Sequence, residues 1–260
     1  MIDSREDIKN YILSIERDFP VNDWKVNEVH LWPIIRVRLF FELIKKIEKA
    51  SHFEPNLRKS IIKEVTPNSS KPQNLKRLVS FFLKKNIAMY NYKNWLKSLK
   101  PAQDIYIGHD SFRVNYRGKS FNRFFDVLIA ESDNYLFIDH DKKPIGRKYR
   151  SDNFLVFQNE FQNFKRIHKY KNYNFFWKGY DVFLKSLEET NSFAFLFHKK
   201  KIEEDLKANF LPKMSFFRDV FRKVKPKNVS VLCYYNETVM AITAAANQLG
   251  VKTIEMQHGP

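Results

Sequence analysis

Apolar residues recur at helical spacing through the first part of the chain. Two helices are predicted on either side of a turn at residues 19–23, the second beginning near Trp32-Pro33 because proline suits the first helical turn. The stripes that predict them are Ile8, Ile12 and Ile15 in the first helix and Ile35, Leu39, Leu43 and Ile47 in the second.

A longer amphipathic helix is predicted over residues 75–99. Lys and Arg near an anionic bilayer are attracted to its headgroups, so the basic face of this helix is expected to help dock the protein peripherally on anionic membrane. The side chains expected to pack inward are Leu75, Leu78, Phe82, Met89, Tyr92, Leu96 and Leu99, and those expected to stay in water are Arg77, Lys84, Lys85, Lys93 and Lys97.

After Pro101 the pattern changes to short apolar bursts, which are typical of buried strands. The first burst, 104–109, ends in Gly108-His109, and an Arg117-Gly118-Lys119 centre then predicts a basic hairpin or a loop excursion. Further strands are predicted at 127–130, 135–138 and 154–157, and helices between about 160 and 224, broken by Pro212, with 193–197 ambiguous.

The clearest pattern is a strand, a helix and a strand near the end of the chain. Residues 229–235 read as a buried strand, and Asn236 is a favourable N-cap for an Ala-rich helix over 237–249. Gly250 suits the position after that helix, and residues 251–256 form a second strand. The pattern predicts one βαβ unit with a right-handed crossover.

Together these elements predict an α/β fold: a Rossmann-like parallel sheet over residues 101–260, preceded by a mostly helical region over 1–100. The single Cys233 excludes an intramolecular disulfide and a cysteine metal cluster, and no metal site is predicted; Cys233 is expected to be a small buried hydrophobe. Without a long apolar run or a secretory leader, the chain is expected to be soluble and cytoplasmic.

Charge and glycine content limit the classes of function that fit the chain. The chain has a net charge of +17, but residues 229–260 hold only one Lys and two Glu. The basic surface is therefore formed by residues 1–228. Such a surface attracts nucleic acid, anionic lipid headgroups or phosphorylated substrates. The six glycines form neither GxGxxG nor GxxxxGK[ST], so no backbone cradle for a nucleotide is predicted.

The end of the chain resembles a known family. A strand, an Ala-rich helix and the pattern Gly-Val-x-Thr-Ile-x-x-Gln-His-Gly are similar to the end of the N-terminal Rossmann domain in bacterial surface-polysaccharide glycosyltransferases of the GT-B fold, including capsule, Kdo-type and sialyl-type transferases. Residues 108–126 resemble a strand end and basic loop of some surface-carbohydrate proteins. The matching residues at the end of the chain are Asn236, Glu237, Gly250, Val251, Thr253, Gln257, His258 and Gly259.

In the enzymes that this chain resembles, donor and acceptor meet between two Rossmann domains. The resemblance implies that this chain is the acceptor-side half, which helps transfer a sugar from a nucleotide-sugar donor to a surface-polysaccharide or lipopolysaccharide acceptor. The nucleotide-sugar is then expected to bind a C-terminal domain that follows this piece, so the piece alone is expected to hold no cofactor and to be inactive. The expected partner is a carbohydrate or lipid-linked saccharide, with no nucleic acid.

The resemblance also implies candidates for a catalytic base, since inverting members use a carboxylate or histidine of this domain that lies within hydrogen-bond reach of the acceptor hydroxyl. The strand-end candidates are His109, Asp110, Glu237 and His258, with Asp139, His140 and Asp141 after a third strand. Structural roles are open for two of them: Glu237 suits the first turn of a helix, and a histidine at a strand end is often a hydrogen-bonded turn residue.

A basic and aromatic strip supplies candidates for acceptor binding. Arginines give bidentate contacts to phosphate or carboxylate, and aromatic rings stack on sugar faces; a solvated hairpin is the alternative. The candidate binding residues of this strip are Arg113, Arg117, Lys119 and Arg123, which alternate with Phe112, Tyr116 and Phe121. The resemblance adds Asn236, Gln257 and Gly259 as candidates for acceptor binding.

Two other functions fit the charge and the fold. One is a basic nucleic-acid-binding module, although the sequence has no RNP-type strand, zinc site or helix-turn-helix spacing. The other is a protein-interaction module that uses the Rossmann-like domain only as a scaffold.

Overall fold

The computed structural model of the protein describes residues 2–51, 75–109, 112–139, 154–168, 173–233 and 235–256. The chain divides into two compact units, one formed by Met1–Lys84 with Phe176–Phe197 and the other by Lys85–Phe175 with His198–Pro260. The predicted regions were 1–100 and 101–260; in this division residues 85–100 belong to the second unit and Phe176–Phe197 to the first.

The helices, in chain order, are α1 (Arg5–Asp18), α2 (Trp32–Ser51), α3 (Leu75–Ser98), α4 (Asp126–Ala130), α5 (Gln158–Ile167), α6 (Tyr180–Thr190), α7 (Lys199–Asp205), α8 (Leu211–Val224) and α9 (Glu237–Gln248). The strands are β1 (Lys25–Val26), β2 (Val29–His30), β3 (Asp104–Gly108), β4 (Arg113–Tyr116), β5 (Lys119–Asn122), β6 (Tyr135–Asp139), β7 (Phe154–Val156), β8 (Phe175–Phe176), β9 (Asn228–Leu232) and β10 (Lys252–Met256). Val21–Asp23 and Ala194–Phe197 are 3₁₀ turns, and Leu206–Phe210 is a π-helical segment between α7 and α8.

The first unit has an aromatic centre around Trp24, which is fully buried. Its ring lies 4.7 Å from the ring of Tyr180 and 5.0 Å from that of Phe183, both on α6, and its indole N–H donates to the carbonyl of Lys178. These contacts explain why α6 belongs with the N-terminal helices. The predicted helices on either side of the turn at 19–23 are confirmed, whereas the short antiparallel pair of β1 and β2 was not predicted.

Helix α3 is present, but the predicted inward stripe is partly wrong. Tyr92 and Leu99 are buried, while Phe82 is 58% exposed and Met89 37% exposed. Ala88 is buried instead, so the buried face of α3 includes Ala88, Tyr92 and Leu99. The side chains of Leu75 and Leu78, which the prediction also placed inward, lie outside the described part of the chain.

The second unit contains a five-stranded sheet in the order β10-β9-β3-β6-β7, and every neighbouring pair is parallel. In register, Ile105 at the centre pairs with Val229 on one side and Leu136 on the other. The predicted α/β, Rossmann-like fold is therefore confirmed. The terminal βαβ unit is confirmed: the Asn236 side chain accepts from the N–H of Thr238, and Gly250 has a left-handed φ of 68°. Its first strand is shorter than the predicted 229–235, because it ends at Leu232 and Cys233 has a left-handed φ of 56°.

Some predicted elements differ in the second unit. Residues 127–130 form helix α4 rather than a strand, since a side-chain-stabilised turn precedes them and Val127 is 56% exposed, with no sheet neighbour to favour extension. Pro212 does not break the helical path: it directly follows the π-helical segment Leu206–Phe210, and the carbonyl of Ala208, four residues before it, accepts from the Lys165 ammonium at 2.9 Å instead. The strand predicted at 154–157 ends at Val156, and Phe157 leads into α5.

Candidate functional site

The carboxyl edge of the parallel sheet is the place where several predicted site residues lie. Strands β3 and β6 are parallel neighbours that end in register at Gly108 and Asp139. His109 follows β3 directly, and the turn after β9 on the other side of β3 leads to Asn236 and Glu237. In open parallel α/β sheets ligands bind outside this edge.

A hairpin of β4 and β5 follows β3 along the chain. Tyr116 pairs with Lys119, so the turn consists of Arg117 and Gly118. Both have a positive φ, 51° and 73°, as a type I′ turn requires. Arg117 is exposed at this turn, and its guanidinium carbon lies 5.2 Å from the centre of the Tyr116 ring. The predicted basic hairpin is confirmed, with Arg117 at its tip.

Arg113 begins the hairpin but points into the protein. Its side chain is 9% exposed, and its Nε lies 3.5 Å from Oδ2 of Asp139, whose side chain is 1% exposed. The guanidinium carbon also lies 5.0 Å from the centre of the Phe137 ring. The prediction that Arg113 binds an acceptor is therefore corrected: this arginine ties β4 to the end of β6 and presents almost no surface to a ligand.

Asn122 and Asp126 fix the turn that leads from the hairpin into α4. The Asn122 side-chain oxygen accepts from the N–H groups of Phe124 and Phe125, at 3.0 and 3.1 Å. In return, Asp126 Oδ2 accepts from the Asn122 N–H at 2.7 Å. Burial raises the pKa of Asp126, while that hydrogen bond and the Arg113 charge partly oppose the increase. These polar residues were not among the predicted site residues.

Gly108 sits beneath this turn at the end of β3. A Cβ added there would overlap the ring of Phe137 and lie 3.3 Å from Nδ2 of Asn122. That Nδ2 is buried and has no hydrogen-bond partner among the described residues. Only glycine therefore fits at the point where β3 meets the Phe137 ring and the Asn122 amide.

Glu237 and Asn236 have structural partners at the start of α9. Glu237 Oε1 lies 3.3 Å from the Lys213 ammonium of α8, with both side chains partly buried. The Asn236 oxygen accepts from the N–H of Thr238 and so caps α9. The structural role left open for Glu237 is therefore supported, and the Asn236 oxygen is engaged in the cap.

His109 is partly buried, and its ring centre lies 5.9 Å from that of Phe112. The structure thus brings His109 and the Arg113–Asp139 pair together at the ends of neighbouring strands. The remaining predicted site residues, Asp110, His140, Asp141, Gln257, His258 and Gly259, lie outside the described residues, as does the side chain of Lys119.

Cys233 follows β9 and is only partly buried, whereas the sequence predicted a small buried hydrophobe. It adopts a left-handed φ of 56° where the chain leaves the strand. It nevertheless packs against an apolar cluster that includes Leu232.

Comparisons with known proteins do not identify a family for this chain. No family model matches the chain, and no curated protein or solved structure matches it either. Within the described ranges, no set of three or more His, Cys, Asp or Glu side chains could hold a metal ion. In the same part of the chain, none of the helices has the length and apolar character needed to cross a bilayer.

Proposed function

We propose that this chain binds the saccharide acceptor of a sugar transferase. The observation that carries the proposal is the fixed position of the basic hairpin, which the Arg113–Asp139 pair ties to the carboxyl edge of the sheet close to His109. That edge is the usual ligand position in open parallel sheets. The resemblance of residues 236–259 to surface-polysaccharide transferases supplies the reaction class.

The charges of the hairpin indicate which part of an acceptor it would bind. Asp139 already balances Arg113 inside the protein. Arg117 and Arg123 remain exposed, and their guanidinium carbons lie 5.2 Å and 5.8 Å from the ring centres of Tyr116 and Phe124. An arginine stacked on a ring presents its N–H edge to an anion. The hairpin therefore suits a saccharide that carries a phosphate or a carboxylate.

In the proposed reaction a base removes the proton from the acceptor hydroxyl. The freed oxygen then bonds to the anomeric carbon of the nucleotide-sugar, and the bond to the nucleotide breaks with its electron pair leaving on the nucleotide phosphate. His109 and His258 are the candidates for the base, because histidine is the side chain that most often serves as a general base. Glu237 is a weaker candidate, since Lys213 pairs with its carboxylate.

Saturation-transfer NMR titrations with glucose, glucose 6-phosphate and glucuronate test this proposal. The wild-type chain is expected to bind both anionic sugars more tightly than glucose. Arg117→Asn removes the charge and keeps a residue that favours the left-handed turn. Combined with Arg123→Gln, it is expected to weaken binding of the anionic sugars by about tenfold, which corresponds to the loss of two solvent-exposed ion pairs at roughly 0.7 kcal/mol each.

The matched control is Arg17→Gln, which removes an exposed arginine of α1 that pairs with Asp18. It is expected to bind all three sugars as the wild type does. Equal affinity for glucose and for the anionic sugars, or an equal loss in the control, would contradict the proposal.

The charge of +17 and the exposed arginine-aromatic pairs also fit a nucleic-acid-binding module. Such binding loses affinity steeply with salt as counterions are released. Tight, steeply salt-dependent binding of generic oligonucleotides, with no preference for the anionic sugars over glucose, would favour that function.

A further inference from the structure

We propose that helix α3 lies on the surface of an anionic lipid bilayer, with an apolar stripe formed by Leu83, Ile87 and Tyr90 inserted among the lipids. These side chains are 57%, 58% and 68% exposed. They are spaced at i, i+4 and i+7, so they share one face of the helix.

The opposite face of α3 is already used for packing. Ala88 and Tyr92 are 1% and 4% exposed, and the Tyr92 hydroxyl lies 3.2 Å from Asp219 of α8. The rings of Trp95 and Phe216 stack with their centres 5.4 Å apart. Rotating α3 so that Leu83, Ile87 and Tyr90 faced the protein interior would break these contacts. These three side chains therefore stay on the surface of the protein.

The positive charge of α3 favours binding to an anionic partner. The helix has no Asp or Glu, and its basic residues are Lys76, Arg77, Lys84, Lys85, Lys93 and Lys97. On a helical wheel Lys84 flanks the stripe on one side, and Lys93 and Lys97 flank it on the other; all three are exposed. Apolar side chains bordered by lysines are the signature of a helix that lies in the headgroup region of a membrane.

Two other occupants fit the stripe less well. A nucleic acid would match the lysines, but it would leave the aliphatic side chains of Leu83 and Ile87 in water. A second copy of the chain, docked stripe to stripe about a two-fold axis, would bring like-charged lysines together. A bilayer that carries anionic lipid satisfies the apolar and the basic side chains at once.

Vesicle co-sedimentation of the whole chain tests the proposal, using phosphatidylcholine vesicles with and without phosphatidylglycerol. Leu83→Gln combined with Ile87→Gln removes the stripe and keeps good helix formers. It is expected to weaken binding to the anionic vesicles by about tenfold or more, because burial of two aliphatic side chains is lost. Lys84→Gln and Lys93→Gln are each expected to weaken it about fivefold at low salt.

The matched control is Leu13→Gln with Val182→Gln, which changes two helical side chains that are 50% and 66% exposed but lie on α1 and α6. It is expected to bind the anionic vesicles as the wild type does. Light scattering of the same proteins reports their mass, and circular dichroism confirms that each variant is folded.

Three results would overturn the proposal. Binding that is equal with and without phosphatidylglycerol would remove the charge selection. Unchanged binding of a folded stripe variant would remove the role of α3. A wild-type dimer that the stripe variant turns into a monomer, with no change in vesicle binding, would assign the stripe to a second copy. The sugar titrations do not depend on this helix, so the two proposals can fail separately.

Discussion

The Arg113 guanidinium is held 3.5 Å from the Asp139 carboxylate, with both side chains almost fully buried. This pair joins the first residue of β4 to the last residue of β6. A hairpin that follows a strand end could otherwise project in many directions. Here its root is fixed to the edge of the sheet, while its tip at Arg117 stays exposed.

We expect the buried pair to be strongly coupled in stability. Arg113→Met or Asp139→Leu alone leaves one buried charge without its partner and should lower the free energy of unfolding by about 3–5 kcal/mol. The double variant removes both charges and should recover most of that loss. Urea unfolding of all four proteins measures the coupling, and additive losses would show that the pair does not act as a unit.

Asp126 is expected to make stability fall as pH rises through the acidic range. Its folded-state pKa is raised, chiefly by burial, so the folded protein holds this proton more tightly than the unfolded chain does. That contribution is fully present below the ordinary value of 3.8 and is lost as pH rises through the raised pKa.

Asp126→Asn keeps an oxygen that can accept from the Asn122 N–H and does not titrate. Relative to wild type, its free energy of unfolding should therefore increase between acidic and neutral pH. Denaturant unfolding of both proteins across that pH range measures the difference between their free energies of unfolding. The contributions of the other titrating groups are the same in both proteins and cancel in this difference. A difference that does not change with pH would refute the prediction.

Local signals predicted the βαβ unit and the hairpin well. Asn236 caps the start of α9 with its side-chain oxygen, and Gly250 follows its end with a left-handed φ. Arg117 and Gly118 form the turn of the hairpin. Such signals depend on neighbours in sequence, so they can be found without knowing the tertiary structure.

The site and the packing of α3 depend on partners that are distant in sequence. The β4 pattern cannot show that Arg113 faces inward until the position of Asp139 is known. Likewise α3 has one apolar set through Ala88 and Tyr92 and another through Leu83 and Ile87, and only the neighbouring α8 decides which is buried. Asn122 and Asp126 carried a weak local signal, since both residue types stabilise turns.

Lys225 offers a test of the backbone at the end of α8. It is exposed and adopts a left-handed φ of 57° as the C-cap. Because glycine reaches this conformation without the Cβ clash, Lys225→Gly should raise the free energy of unfolding by roughly 0.5–1 kcal/mol. Lys223→Gly, within the last turn of the same helix, is the control and should lower it by a similar amount. Thermal or urea unfolding measures both, and a loss of stability in Lys225→Gly would contradict the assigned backbone conformation.

The proposed base can be identified by comparing three histidines. In an active transferase that contains this chain, His109→Ala or His258→Ala should lower turnover about 100-fold or more if that imidazole takes the acceptor proton, since a positioned acid or base typically contributes 10²–10⁴ in rate. His30→Ala is the control, because His30 is exposed on β2 in the other unit.

Turnover and the thermal midpoint must be measured on the same variants, because a structural histidine also lowers activity when it is removed. Loss of a buried hydrogen-bonding partner costs about 1–3 kcal/mol of stability, and activity then falls only with the folded fraction. A catalytic histidine shows the opposite behaviour: the midpoint stays near the wild-type value while turnover per folded molecule drops. If both His109→Ala and His258→Ala are destabilised yet normally active per folded molecule, neither histidine is the base. Glu237 would then be the next residue to substitute, with Lys213→Gln as the variant that separates its pairing in the fold from a role in proton transfer.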